Sequence, residues 1–238
     1  MRLDSYVFEK GFAQSRNKAA ELIKEGSVWL NGKVERKSSV EIGENDTVDV
    51  TKIMQYVSRA GLKLRGFINE LSLHVKGLDV LDIGSSTGGF VQVWLEEDAK
   101  SVTAVDVGSE QLHPSLKVDS RIILHENTDI RLFEPKKTYD MVSCDVSFIG
   151  LGTLLEHINR LAKSDIIILF KPQFEVGKEV KRTTKGVVKD GSAIIRAQNQ
   201  FESQAVLLGW QLVDKRESLV KGKEGNVETF YYFKKRAC

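Results

Sequence analysis

The chain has 238 residues and a mass of 26.7 kDa, with 41% apolar residues, 29% charged residues and a formal net charge of +2. That length favours a medium domain with a small appendage, and the composition is that of a fold with a buried core rather than a disordered chain. The longest unbroken apolar run, Ile166 to Phe170, is about a quarter of the ~20 residues that a membrane helix needs.

In chain order, the first fifty residues predict a compact α/β unit. Asp4 is the expected cap of a short helix stopped by Gly11. Ser15 caps a second helix, with Ala19, Leu22 and Ile23 on one face and Gly26 as its stop. Val28-Trp29-Leu30, Asn31-Gly32 and Lys33-Val34-Glu35 then read as a strand, a tight turn and a strand. Val48-Asp49-Val50 adds another short strand. Residues 51–60 form a polar connector, which divides the chain into domains 1–57 and 58–238.

Beyond Leu78 the pattern alternates. Leu78 to Ile83, Ser101 to Val105, Arg121 to Leu124, Met141 to Cys144 and Ile166 to Phe170 are short β-branched runs. Leu151, Leu154, Leu155, Ile158 and Leu161 fall at helical spacing, as do Ile194, Phe201, Ala205 and Leu208. Strands separated by helices predict a mostly parallel, doubly wound α/β sheet. Trp210 to Val220 and Asn226 to Phe233 follow without an intervening helix, which predicts an antiparallel hairpin at one edge of the sheet.

Leu81-Asp82-Ile83-Gly84-Ser85-Ser86-Thr87-Gly88-Gly89-Phe90 lies where the first of these strands meets its helix. Glycines there let a ligand approach the backbone, and a helix N-terminus offers free N–H groups. About twenty residues on, Asp106 ends the next strand, where a carboxylate can accept both hydroxyls of a ribose. No Gly-Lys-Ser/Thr follows, so this is not a phosphate P-loop. Three further segments stand at strand ends, where open α/β sheets bind ligands. They are Cys144-Asp145-Val146-Ser147-Phe148, Lys171-Pro172-Gln173-Phe174-Glu175 and Asn226-Val227-Glu228-Thr229. Lys171 directly follows four aliphatic residues and a phenylalanine, which reads as a cation at the rim of a cleft. Lys63, in Ser58-Arg59-Ala60-Gly61-Leu62-Lys63-Leu64, precedes the sheet and can reach the same cleft.

Charge is unevenly spread. Residues 1–37 carry eight Lys or Arg against five acids, and residues 171–189 carry six against two. Two basic stretches in a nearly neutral chain are what a polyanion-binding protein would show. Residues 177–189 read as a mobile substrate loop, ordered when a polyanion neutralises it. Cys144 and Cys238 cannot make a disulfide framework, and the four histidines have no metal-ligand spacing, so no metal site is expected. With no signal-like leader at the first residues, a cytoplasmic location is the simplest reading.

The run from RLD through SRNKAAELIKEGSVWLNGK resembles the S4 RNA-binding domain family. That resemblance implies RNA contacts from Arg2, Arg16, Lys18 and Lys33, with Arg59, Lys178, Lys181, Arg182, Lys185 and Lys189 as the further basic candidates. The pairing of DxGxxxGG with a downstream acid resembles the S-adenosyl-L-methionine site of class I methyltransferases. The residues it points to are Asp82, Gly84, Ser85, Ser86, Gly88, Gly89, Phe90, Asp106 and Asp145, with Asp129 near the adenine. Lys63, Asp145, Lys171 and Glu228 resemble the Lys-Asp-Lys-Glu tetrad of FtsJ-like ribose 2′-O-methyltransferases. SRAGLKL, LDIGSSTGGF, CDVSFI, KPQFE and GNVE in this order resemble the TlyA (haemolysin A-like) rRNA methyltransferases. Ala60 and Thr229 depart from that family's usual residues, and neither is a tetrad member.

The resemblance implies a seven-stranded sheet and methylation of a cytidine ribose, with 23S rRNA or the large subunit favoured over both rRNAs. It also implies S-adenosyl-L-methionine as cofactor and capreomycin sensitivity. No membrane contact is expected, and the oligomeric state stays open, with a monomer favoured. Three rival readings stand beside it. A haemolysin lacks support from any spanning or lytic segment. A noncatalytic RNA-binding or assembly factor gives no reason for four charges at strand ends. A Rossmann oxidoreductase leaves KPQFE without a role.

Overall fold

The computed structural model describes residues 1–43, 45–50, 56–71 and 73–236, in two compact units, Met1–Gln55 and Tyr56–Cys238. Cys238 and residues 51–55 of the expected connector lie outside the described residues.

The smaller unit holds helices α1 (Leu3–Glu9) and α2 (Arg16–Glu25) and strands β1 (Val28–Leu30), β2 (Lys33–Glu35) and β3 (Val48–Val50). Ser15 caps α2, its hydroxyl accepting the Lys18 N–H at 3.2 Å, and Gly26 ends it in the left-handed region at φ +85°. Asn31 and Gly32 both take positive φ, 51° and 74°, and their turn lets β2 fold back on β1. β1 lies between β2 and β3, antiparallel to both. Leu3, Val7, Ala19, Ile23 and Val28 fill the core. One expectation fails here: Asp4 does not cap α1. It lies inside the helix and is buried, while Arg2 occupies the cap position without a side-chain capping bond.

The larger unit begins with α3 (Arg59–Ile68), so the helix opens before the expected connector ends. Then come β4 (Asp79–Ile83), α4 (Gly89–Glu96), β5 (Ser101–Val105), α5 (Pro114–Lys117), β6 (Ile122–His125) and β7 (Tyr139–Cys144). A 3₁₀ turn (Leu151–Thr153) leads into α6 (Leu155–Leu161), β8 (Ala162–Phe170), α7 (Pro172–Glu175) and α8 (Gly191–Leu207). The strands β9 (Trp210–Glu217) and β10 (Thr229–Lys235) close the unit.

The seven strands run in the order β6-β5-β4-β7-β8-β10-β9. β6 through β8 are mutually parallel, while β10 is antiparallel to both of its neighbours. Alternation along the strands splits the core into two layers. Ile166, Ile168 and Phe170 of β8, with Tyr231 and Phe233 of β10, pack under Ile158 of α6 and Phe201 and Ala205 of α8. Ile167, Leu169, Phe230 and Tyr232 face the other way, towards Leu64 and Phe67 of α3 and Trp94 of α4. Phe67 stacks on Phe230 with ring centroids 4.6 Å apart. Among the described residues, no helix is long and apolar enough to cross a membrane.

Candidate active site

Charged side chains gather where β7, β8 and β10 meet. Asp145 directly follows β7, and its N–H donates to the Ile83 carbonyl at 2.9 Å, which ties it to the end of β4. Lys171 directly follows β8. Thr229 of β10 pairs with Phe170 of β8, so the next residues outward on those two strands are Glu228 and Lys171. α3 supplies Lys63.

Two ion pairs result. Lys171 Nζ lies 2.7 Å from Asp145 Oδ1, and Lys63 Nζ lies 2.6 Å from Glu228 Oε2. Side-chain exposure is only 11% and 13% in the first pair and 10% and 3% in the second. Such pairs are held by tertiary structure rather than by chance at a surface. Lys171 also donates to the Ser147 hydroxyl at 3.0 Å, a partner that no sequence pattern singles out.

Beside Asp145 a cavity of about 440 Å³ opens at the ends of β4 and β5. Gly84, Ser86, Asp106, Asp129 and Asp145 line it, with Ile83, Val107, Ile130 and Leu154 among its apolar walls. Gly84 is at φ +79°, and a Cβ there would stand 2.8 Å from the Asp145 carbonyl oxygen, so only glycine lets these strand ends come together. Asp106 Oδ2 accepts the Ser86 N–H at 2.8 Å and its Oδ1 accepts the Gly108 N–H at 2.7 Å. Gln111 Nε2 also donates to Oδ1 at 3.2 Å, so Oδ2 is the oxygen that keeps acceptor capacity for a ligand hydroxyl. Asp129 is gripped by Arg131, with bonds of 3.0 and 2.6 Å, and that guanidinium holds its carboxyl down at about 2. Sequence reasoning missed Arg131, Gln111, Thr128 and Phe148, which also line the cavity and belong to no glycine or charge motif.

The other assigned loop residues face inwards, away from that cavity. Asp82 is fully buried; Ser143 donates to its Oδ1 at 2.6 Å, and Trp94 Nε1 donates to Ser143 at 2.9 Å. Burial pushes the Asp82 carboxyl up to about 7, and Asp145 and Asp106 add to the rise. Asp82 Oδ2 and Ser85 Oγ are buried without a hydrogen-bond partner. Gly88 takes φ +94° against Leu112 and Leu116. Gly89 gives room to Ser58 and Gly61 of the α3 start, and Phe90 stacks on Phe230 in the core.

The remaining basic candidates divide by their partners. Arg2 makes a two-pronged bond to Asp4, at 3.1 and 2.7 Å, and Arg16 reaches the same carboxylate at 3.3 Å. The Arg2 bonds hold the Asp4 carboxyl down at about 2. Lys18 pairs with Glu21 at 3.0 Å, and Lys33 is exposed. Arg59 donates to the Lys221 carbonyl at 2.8 Å. Lys178, Lys181, Lys185 and Lys189 are exposed. Arg182 differs from them, because its guanidinium is spent on the chain itself. It donates to the carbonyls of Gly177 at 2.6 Å, Val180 at 2.7 Å and Lys178 at 3.2 Å. An antiparallel bridge joins Arg182 to Val188 within residues 177–189.

A seven-stranded, mostly parallel sheet of this kind is shared with known proteins. The FtsJ-like methyltransferase family matches residues 56–235, and the S4 domain matches residues 1–48. The chain belongs to the FtsJ-like methyltransferase family. It is 48% identical to the 23S rRNA (cytidine-2'-O)-methyltransferase TlyA of Campylobacter jejuni, over 98% of this chain and 99% of that protein. The 16S/23S rRNA (cytidine-2'-O)-methyltransferase TlyA of Mycobacterium tuberculosis is 37% identical, over 98% of this chain and 89% of its own length. A solved structure described as a hemolysin, from Streptococcus thermophilus, superposes with a TM-score of 0.74 at 31% identity, covering 99% of this chain and 88% of that one.

Proposed function

We propose that this chain transfers a methyl group from S-adenosyl-L-methionine to the ribose 2′-hydroxyl of a cytidine in 23S rRNA. The observation that carries this reading is the pair of buried ion pairs, Lys171–Asp145 and Lys63–Glu228, on neighbouring strand ends. The names of the two TlyA relatives support the substrate class, and the S4 domain supports an RNA partner.

A ribose hydroxyl is a poor acid, so charge that develops on its oxygen must be stabilised by the protein. Lys171 is the cation assigned to that oxygen. Asp145 pairs with its ammonium and orients it, and Ser147 fixes its direction from another side. Lys63 and Glu228 complete the charged wall around the ribose and hold it in line, which is where much of the remaining rate gain arises.

The cavity beside Asp145 suits S-adenosyl-L-methionine. Its apolar walls fit a purine, Asp106 faces it as an acceptor for ribose hydroxyls, and Gly84 allows close approach to the backbone. The buried, unpartnered Asp82 Oδ2 and Ser85 Oγ mark polar capacity behind the same loop. Bound there, the cofactor supplies a methyl activated by its sulfonium charge.

The test is transfer of labelled methyl to unmodified 16S and 23S rRNA separately, followed by alkaline digestion. Label in 23S rRNA that survives as an alkali-resistant dinucleotide is the expected result, because a methylated 2′-oxygen cannot cleave its neighbouring phosphodiester. Label on both RNAs overturns the restriction to 23S. Label released in mononucleotides overturns ribose as the acceptor.

A further inference from the structure

Two loops beside Glu228 carry cations that the tetrad does not use. Lys181, Lys185 and Lys189 lie between α7 and α8, while Lys221 and Lys223 lie between β9 and β10. All five are exposed, and among the described residues none forms an ion pair with an acid. Four acids lie in these loops: Asp190 caps α8, Glu228 pairs with Lys63, and Glu179 and Glu224 are exposed and unpaired among the described residues.

Asn226 joins the two loops. It is only 4% exposed. Its Oδ1 accepts the Val188 N–H at 3.0 Å, its Nδ2 donates to the Gly186 carbonyl at 3.3 Å, and its own carbonyl accepts the Gly222 N–H at 2.9 Å. A buried amide satisfied at both ends by another loop's backbone is a built link, since an unpaired one is costly. Val188, the residue it grips, is itself buried with Val176 and Ala193. The bond from Arg59 to the Lys221 carbonyl fastens the β9–β10 loop to the start of α3 as well. Glu228 stands two residues beyond Asn226.

Resting on the rRNA methyltransferase reading above, we propose that Asn226 fastens these loops into one phosphate-binding rim. Lys221 and Lys223 are contacts in it alongside Lys181, Lys185 and Lys189. Its ligand is the phosphodiester backbone of the substrate RNA. Compact ammonium charges on flexible stems suit phosphates more than base edges, so the rim sets register and affinity rather than sequence choice. Asn226 is a positioning residue: it touches no RNA, and it fixes the spacing between the two rows of lysines.

The test measures binding of an unmodified 23S rRNA transcript to the full chain across salt. Lys221→Ala/Lys223→Ala should lower the slope of log affinity against log salt by about 1.5, and Lys181→Ala/Lys185→Ala by a similar amount, at roughly 0.7–0.9 per phosphate contact. Asn226→Ala removes no charge, yet it should weaken the transcript about ten-fold while S-adenosyl-L-methionine binds as before. On the Asn226→Ala background, removing Lys221 and Lys223 should cost far less than in the native chain, because the rim is already undone. An unchanged salt slope in the lysine variants, or an Asn226→Ala chain that binds as tightly as the native one, overturns the rim. Full additivity overturns the link. Native protein that binds the transcript and transfers no methyl defeats the methyltransferase reading instead, and leaves the rim standing.

Discussion

Breaking the Lys63–Glu228 pair from one side should cost far more than deleting it whole. The two groups lie 2.6 Å apart with side-chain exposures of 10% and 3%, and among the described residues each is the other's sole side-chain hydrogen-bond partner. Two unit charges at that separation attract by about 6 kcal/mol at an effective dielectric near 20. Desolvation of both groups offsets much of that gain. Lys63→Met forfeits the attraction and still leaves Glu228 in its dry setting, which should lower stability by about 3–5 kcal/mol. Glu228→Leu should cost a similar amount by stranding the ammonium. The double variant removes both desolvation costs, so it should be no worse than either single one, giving a coupling of about 3 kcal/mol. Urea unfolding followed by tryptophan fluorescence suits the measurement, since Trp94 and Trp210 are both buried in the larger unit. Single losses below about 1 kcal/mol that simply add would refute the reasoning, because they describe a pair already open to water.

Three other outcomes follow from the same geometry. Lys171→Met should reduce methyl transfer by at least about 10²-fold, the cost of losing one preorganised donor at a developing oxyanion, while calorimetry finds cofactor affinity kept; transfer at the native rate would remove Lys171 from the chemistry. Burial raises the Asp82 carboxyl from 3.8 to about 7, so the native state keeps a proton that the unfolded chain releases, and stability falls as pH climbs through that interval. Asp82→Asn keeps an acceptor for Ser143 and should be more stable than the native chain at pH ~8, by up to about 4 kcal/mol, and level with it near pH ~4; the same difference in urea midpoint at both pH values would contradict this. Gly84→Ala should lower stability by more than about 1 kcal/mol and slow transfer through a displaced Asp145, whereas an unchanged melting temperature would show that the strand ends can yield.

Much of the fold was legible because its signals are local. Asn31-Gly32 has one natural conformation between two short strands, and the β-branched runs of the larger unit are buried on both faces, so they read as strands without tertiary information. Asp145 and Lys171 stood out as charges directly after apolar strands. What stayed hidden depends on what comes from elsewhere in the chain. Asp4 looks like a helix cap in sequence, yet Arg2 and Arg16 converge on it and make it a buried counter-ion. A glycine-rich motif announces a tight strand-to-helix turn but does not say which of its residues face a ligand. Gly84 and Ser86 reach the cavity, whereas Gly89 makes space for α3 and Phe90 joins the core. Arg182 and Lys185 are equivalent as letters in a basic run. Only the fold spends one on backbone carbonyls and leaves the other exposed.

The antiparallel placement of β10 links fold to chemistry. In a parallel sheet, residues just after successive strands share one edge, which is how Asp145 and Lys171 come together from β7 and β8. A strand running the same way would bring its last residues to that edge. β10 runs the opposite way between β8 and β9, so it brings its first residues instead, and Glu228 arrives beside Lys171 although 165 positions separate it from Lys63. The entry to β10 is also where the β9–β10 loop carries Lys221, Lys223 and Asn226. One reversal of strand direction therefore delivers the acid proposed to face the ribose and the loop proposed to hold phosphates from adjoining residues. Moving Glu228 by a single position along β10 would turn its side chain to the other face of the sheet, since side chains alternate along a strand. A one-residue insertion between Glu228 and Thr229 should accordingly abolish methyl transfer while the transcript still binds, and retained transfer would show that the strand does not fix where this carboxylate points.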